Sequence, residues 1–167
     1  MTVDAAEERV RDHLGALAID HEIIPCDPAL ADTAAFCAAY GYAPEDSANT
    51  IVVIGKSDPP KYVACIVLAT TRLDVNRVVR KRLGVKKASF ADPDQTRELT
   101  GMLIGGVTPF GLPDDLPIWV DARVVERPRI VLGGGSRSCK VVGPPALLTA
   151  QPMVEVVPDL AVEVPAG

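Results

Sequence analysis

Two rhythms of apolar residues alternate along the chain. Val10, Leu14 and Leu17 fall at i, i+4 and i+7, which predicts an amphipathic helix over residues 4–18. A second, Ala-rich helix is expected after Asp32 or Thr33, either of which can cap it, with Gly41 as its stop. Then the pattern changes. TIVVIG and KYVACIVLA are β-branched runs on either side of KSDPP, the layout of a hairpin. Asp74 caps a further helix whose Val75, Val78, Val79 and Leu83 face inward; Arg77, Arg80 and Lys81 then face outward, and Gly84 ends it. ADPDQTRELTG carries a full set of helix signals: Asp92 as N-cap, Pro93 in the first turn, Gln95 to close a capping box and Gly101 as the stop. HEIIP, LPIWV, RIVLGG, SCKVV and VEVV read as short strands and PPALLTA as a short helix, while the Pro-rich tail after Pro158 is expected to be loosely held. Strands outnumber helices and several sequence neighbours are hairpin-joined. That ordering predicts α+β with a mostly antiparallel or mixed sheet, not the strict βαβ alternation of a Rossmann fold.

Composition narrows the function. A chain of 167 residues suits one domain. With only 4% aromatic residues, its core must come from Val, Ile, Leu and Ala. The first residues lack the basic-then-apolar order of a signal peptide, and no apolar run is long enough to span a bilayer, so a cytoplasmic protein is expected. Cysteines at 26, 37, 65 and 139 form no C-x-x-C pair and read as free, mostly buried thiols. His13 and His21 lie far from any cysteine pair of ligand spacing, so neither a metal nor another cofactor is expected. A net charge of −5 argues against a general nucleic-acid coat. Seven of the seventeen basic residues nevertheless fall between Arg72 and Lys87, against one acid, Asp74. Such a local basic face suits a partner touched at one place.

The chemistry-bearing candidates are mostly backbone. A serine or cysteine triad needs a histidine, and both histidines stand in the first 21 residues. No spacing of carboxylates singles out an acid and a base. IGGVTPFGL, by contrast, packs Gly105, Gly106, Val107, Thr108 and Pro109 into a segment that suits neither a helix interior nor a central strand. It reads as a turn or as a wall of N–H groups pressed on a ligand. Gly133, Gly134, Gly135 and Ser136 open GGGSR, which reads either as a hairpin turn or as a second glycine wall beside the first. Backbone amides of this kind polarise a carbonyl and hold an oxyanion without any side chain, which suits an ester substrate.

Taken in order, NTIVVIG, LGVKKASFADPDQTRELTG, GGVTPFGLPDDLPIWVD, RIVLGGGSRSCKVV and PPALL resemble the YbaK/ProX family of aminoacyl-tRNA deacylases, also seen as editing domains in prolyl-tRNA synthetases. The resemblance covers nearly the whole chain, so residues 1–167 are expected to form one such domain. It implies a curved mixed sheet flanked by helices, with a pocket for the aminoacylated adenosine end of tRNA. Gly105 to Pro109 would face the aminoacyl carbonyl, and a methyl group added at Gly105 would fall where that carbonyl rests. Asn49, with Gly133 to Ser136, would contact substrate. The reactive hydroxyl would be the substrate's own 2′-hydroxyl. Arg77, Arg80, Lys81, Lys86 and Lys87 would meet tRNA phosphates, and an aminoacyl-tRNA synthetase is a candidate second partner. One position departs from the family: Asn49 stands where its members carry a lysine. An amide offers a dipole in place of a charge. The alternative is therefore a non-catalytic module that binds aminoacyl-adenosine-like or other small acylated ligands.

Overall fold

The structure, a computed structural model, describes residues 5–164. In chain order the elements are α1 (Ala5–Leu17), β1 (Glu22–Pro25), α2 (Thr33–Tyr40), β2 (Ala48–Gly55), β3 (Lys61–Leu68), β4 (Thr71–Leu73), α3 (Arg80–Leu83), β5 (Ala88–Phe90), α4 (Pro93–Thr100), β6 (Ile118–Asp121), α5 (Ala122–Val125), β7 (Ile130–Gly133), β8 (Cys139–Gly143), α6 (Ala146–Thr149), β9 (Val154–Val157) and β10 (Ala161–Glu163). They form an α+β architecture, and the strands divide among three sheets. Five strands run β5-β2-β3-β6-β9, three run β1-β8-β7, and β10 pairs with β4. Only β3–β6 and β6–β9 are parallel.

The expected hairpin is the spine of the large sheet. β2 and β3 pair from Ala48↔Leu68 to Gly55↔Lys61, closed by residues 56–60. The unbroken apolar run of β3 has a simple cause, since the sheet is covered on both faces. Ala64, Ile66 and Leu68 enter one core with Val10, Leu14 and Phe110, while Val63, Cys65 and Val67 enter another with Val79, Trp119 and Leu160. A third, smaller cluster of Cys26, Ala31, Phe36, Val131 and Val142 lies between α2 and the three-stranded sheet.

Local signals in the sequence act as expected at several ends. Asp92 and Gln95 close a reciprocal capping box on α4, and Gly41, Gly84 and Gly101 terminate helices in the left-handed region. The 74–84 segment differs in detail. Its first turn, Val75–Val79, is a π-helix, which opens the spacing and shifts the phase of the next turn. Arg80, expected to face outward, is half-buried: its Nε donates to Asn76 O at 2.7 Å and its Nη1 to Val85 O at 3.4 Å.

The tail also differs from expectation. Leu160 is fully buried, and β10 pairs from Ala161↔Leu73 to Glu163↔Thr71. Behind it, the buried Asp121 carboxylate accepts from the N–H groups of Arg123 (2.8 Å) and Ala161 (2.7 Å), and Arg123 donates to Ala161 O at 3.0 Å. A buried carboxylate met by this many donors fastens the chain end where composition alone suggested a loose tail. No helix among the described residues is long and apolar enough to cross a membrane.

Candidate functional site

The large sheet and the three-stranded sheet adjoin where β2 meets β7, and Ser47, just before β2, bridges to Val131 of β7. Beyond this bridge the sheets part, and the gap is a cavity of about 270 Å³. Its walls are the start of α2 (Ala31, Thr33, Phe36), β2 from Ala48 to Val52, the turn bearing Ile104, Gly105 and Val107, and the end of β7. Of the candidates named from sequence, Asn49, Gly105, Val107 and Gly133 line this cavity. Gly106, Thr108, Pro109, Gly134, Gly135 and Ser136 lie outside its lining, and the Ser136 hydroxyl donates to Glu7.

The glycines are explained first by each other. The two glycine segments lie back to back, with the Gly135 N–H donating to Gly106 O at 2.8 Å. A Cβ on Gly106 would stand 2.5 Å from the Ser136 carbonyl carbon, and one on Gly133 would strike the carbonyls of Val107 and Gly106. Gly105 has φ +95° and faces the Arg137 guanidinium and, at 3.5 Å, Ala31 Cβ. A methyl group added there meets those side chains and a strained backbone, not only the expected ligand position.

This packing sets where the amides point. In a planar trans peptide, C=O and N–H aim in opposite directions. The Gly105 carbonyl accepts from Lys140 Nζ at 2.7 Å, and the N–H of the same peptide, that of Gly106, donates to Leu103 O at 2.9 Å. The Gly106 carbonyl is taken by Gly135, so the Val107 N–H of that peptide points away from the 133–137 segment. Among the described residues it has no hydrogen-bond partner. On the opposite wall, the buried Thr50 hydroxyl is also unpartnered. Buried polar groups are nearly always paired, so the unpartnered Val107 N–H and Thr50 hydroxyl, both on cavity-lining residues, are candidate ligand contacts; the Thr108 hydroxyl, also unpartnered, lies outside the lining. Asn49 is partly committed, its Oδ1 accepting from the Thr33 hydroxyl at 2.7 Å.

Two residues that the sequence reading passed over close the site. Arg137 binds the chain before α2 to the glycine turn: it donates to Pro28 O at 2.9 Å and to Ile104 O at 2.8 Å, and pairs with Asp32 at 3.2 Å. Asp32, at the N-cap position of α2, makes no side-chain cap bond. Lys140 pairs with Gly133 in the β7–β8 ladder, and its Nζ donates to Ala31 O and Gly105 O, both at 2.7 Å. It sits 5.6 Å from the Phe36 ring centre and is 7% exposed. Burial lowers its pKa, Cys26 counters that, Arg137 adds to it, and Asp32 and Cys139 oppose it. The available signal was a lone lysine inside the apolar run of SCKVV.

The histidines stand apart from the cavity lining. His13 Nδ1 accepts from the Gly111 N–H at 2.7 Å, and burial lowers its pKa against the opposing pull of Asp114. His21 Nδ1 lies 2.8 Å from Ile19 O. All four cysteines are free and buried; desolvation holds the Cys65 thiol at about 12 and, with help from Glu7, Cys139 at about 11.

The basic candidates divide. Arg80, Lys86 and Lys87 join Lys56, Ser57 and Ser89 around a second, more open cavity of about 640 Å³ at the far end of β2. Arg77 lines a different hollow with Arg72 and Phe90, and Lys81 lines neither.

Solved structures share this fold. One, described as a candidate trans-editing enzyme for prolyl tRNA synthetase, has TM-score 0.79 at 22% identity, covering 98% of this chain and 100% of that one. A scaffold protein used for computational epitope grafting has TM-score 0.81 at 20% identity, with coverage of 97% and 100%. The hypothetical protein APE2540 has TM-score 0.79 at 23% identity, with coverage of 89% and 97%. Residues 27–150, from just before α2 to just after α6 and so spanning every wall of the cavity, match the aminoacyl-tRNA editing domain, and the chain belongs to that family.

Proposed function

We propose that this protein is a deacylase that hydrolyses the ester bond of misacylated aminoacyl-tRNA. The observation that carries this reading is the Val107 N–H, unpartnered among the described residues, on a cavity-lining residue of a turn whose neighbouring carbonyls are both anchored. An acyl carbonyl oxygen held there gains its donor as charge develops on it, with no reorganisation of the turn. The cavity wall contains no histidine or cysteine. Its one carboxylate, Asp32, pairs with Arg137, and as the family resemblance implies, proton transfer would fall to the substrate's own ribose hydroxyl and a water molecule. The water oxygen bonds to the acyl carbon, the ester C–O bond breaks and the ribose oxygen takes the proton, leaving free amino acid and tRNA. Thr50 and the amide nitrogen of Asn49, both on cavity-lining residues, would bind the ribose or the amino group.

The second cavity supports the same orientation. On β2 it begins at Ile54, two residues beyond Val52 of the first cavity, about 7 Å away at the usual rise per strand residue. A single strand whose aminoacylated end fills the first cavity would bring its next phosphates to Lys56, Arg80, Lys86 and Lys87. A panel of mischarged tRNAs tests the proposal: hydrolysis above the buffer rate for at least one is expected, and none above it would overturn the enzyme reading.

Asn49 favours a second reading, a module that binds the same aminoacylated end without turnover, because this wall position carries a tethered neutral amide. Hydrolysis that appears only in Asn49→Lys would establish that reading.

A further inference from the structure

Lys140 has no evident purpose in the sheet that carries it. Every residue of β8 is buried, and its neighbours in the strand are Cys, Val and Gly. An ammonium there is expensive to bury unless paired. Among the described residues no carboxylate lies within ion-pair distance of it, and the Asp32 carboxylate is engaged by Arg137. Its two partners are main-chain carbonyls from opposite walls of the cavity, Ala31 and Gly105. Among the residues lining that cavity it is the sole cation. Gly105 and Gly106 lack side chains, so within the turn the peptide between them is held by one bond, from the Gly106 N–H to Leu103 O, and its carbonyl is fixed only from outside. Lys140 holds one carbonyl of that pair and Gly135 the other.

We propose that Lys140 is a positioning residue for deacylation: its ammonium fixes the Gly105 carbonyl, and through it the direction in which the Val107 N–H meets the acyl oxygen. A purely structural lysine would be needed for folding and binding alike. A positioning lysine is needed for the rate. The inference rests on the deacylase reading, and the experiment separates the two.

The test is single-turnover hydrolysis of the mischarged tRNA that the parent protein accepts, compared with Lys140→Met, which keeps the length and apolar stem of the side chain. Binding of a non-hydrolysable amide analogue of aminoacyl-adenosine is measured beside it, and folding by circular dichroism. Folded Lys140→Met is expected to lose about 100-fold in rate, the usual effect of losing one oxyanion donor. Its affinity for the analogue should change by less than about threefold, as for an interaction made mainly in the transition state.

A pH series adds a readout that folding does not move. The groups facing Lys140 are Cys26, Cys139, Asp32 and Arg137. Burial pushes both thiols up, and Asp32 and Arg137 are paired with each other. The lysine's own pKa is lowered, so its charge is present at low pH and lost as pH rises through that value. The parent rate, with the buffer rate subtracted, should therefore fall on the alkaline side. Folded Lys140→Met with a rate within about threefold of the parent overturns the inference and leaves the deacylase reading standing. If Lys140→Met does not fold, the parent's pH series decides: a buffer-subtracted rate that falls on the alkaline side supports the inference, and one that stays constant or rises overturns it. A parent protein that hydrolyses nothing overturns both.

Discussion

Both cavities open along one strand, β2, yet they are built on opposite plans. The first is small, walled largely by backbone and apolar side chains, and its one cation is already bound to carbonyls. The second is larger, open, and ringed by Lys56, Arg80, Lys86 and Lys87. Of these four, only Arg80 donates a side-chain hydrogen bond within the described residues. The first can act on a substrate through direction: donors fixed before the substrate arrives. The second can act only through charge, which water and salt screen over about 8–10 Å. The contrast teaches that rate and affinity should reside in separate places here, and that changes in one should leave the other nearly untouched.

The largest effect expected is on rate. Val107→Pro deletes the open N–H and should lower single-turnover hydrolysis by about 100-fold or more, while the salt dependence of tRNA binding keeps its slope. An equal loss of binding would break the division between the cavities. Next in size is Gly106→Ala, whose methyl group meets the Ser136 backbone at 2.5 Å. It should destabilise the fold by about 1–3 kcal/mol, read from a denaturant midpoint. At the second cavity, Lys56→Ala, Lys86→Ala and Lys87→Ala should each weaken tRNA binding several-fold and reduce the salt slope by about one, with the rate at saturation unchanged. The smallest effect belongs to Lys81→Ala. Lys81 is exposed and lines neither cavity, so affinity should shift by less than about twofold.

How much of the molecule was legible in its sequence depends on the reach of each interaction. The β2–β3 hairpin, the Asp92–Gln95 capping box and the glycine stops are local, within a few residues, and they stand as read. The glycine turn was visible as a place where the chain could form neither helix nor strand. Its reason was not, because Gly106 answers to Gly135 and Ser136, some thirty residues later. Lys140 was missed for the same cause: its meaning lies in Ala31 and Gly105, and a lysine between Cys139 and Val141 says nothing by itself about them. The outward placing of Arg80 assumed a regular helix, and the π turn at Val75–Val79 broke that assumption. Asp121 drew no reading from the sequence, because its partner, the Ala161 N–H, lies forty residues away.

The seam between the two glycine turns also limits how the pocket can be altered. With no side chains between the turns, neither can thicken or bend without displacing its neighbour, so this wall offers no room for tuning. Selection or design toward a bulkier acyl group has to carve the facing side instead, where Phe36, Ala48 and Thr50 present side chains that can be exchanged one at a time.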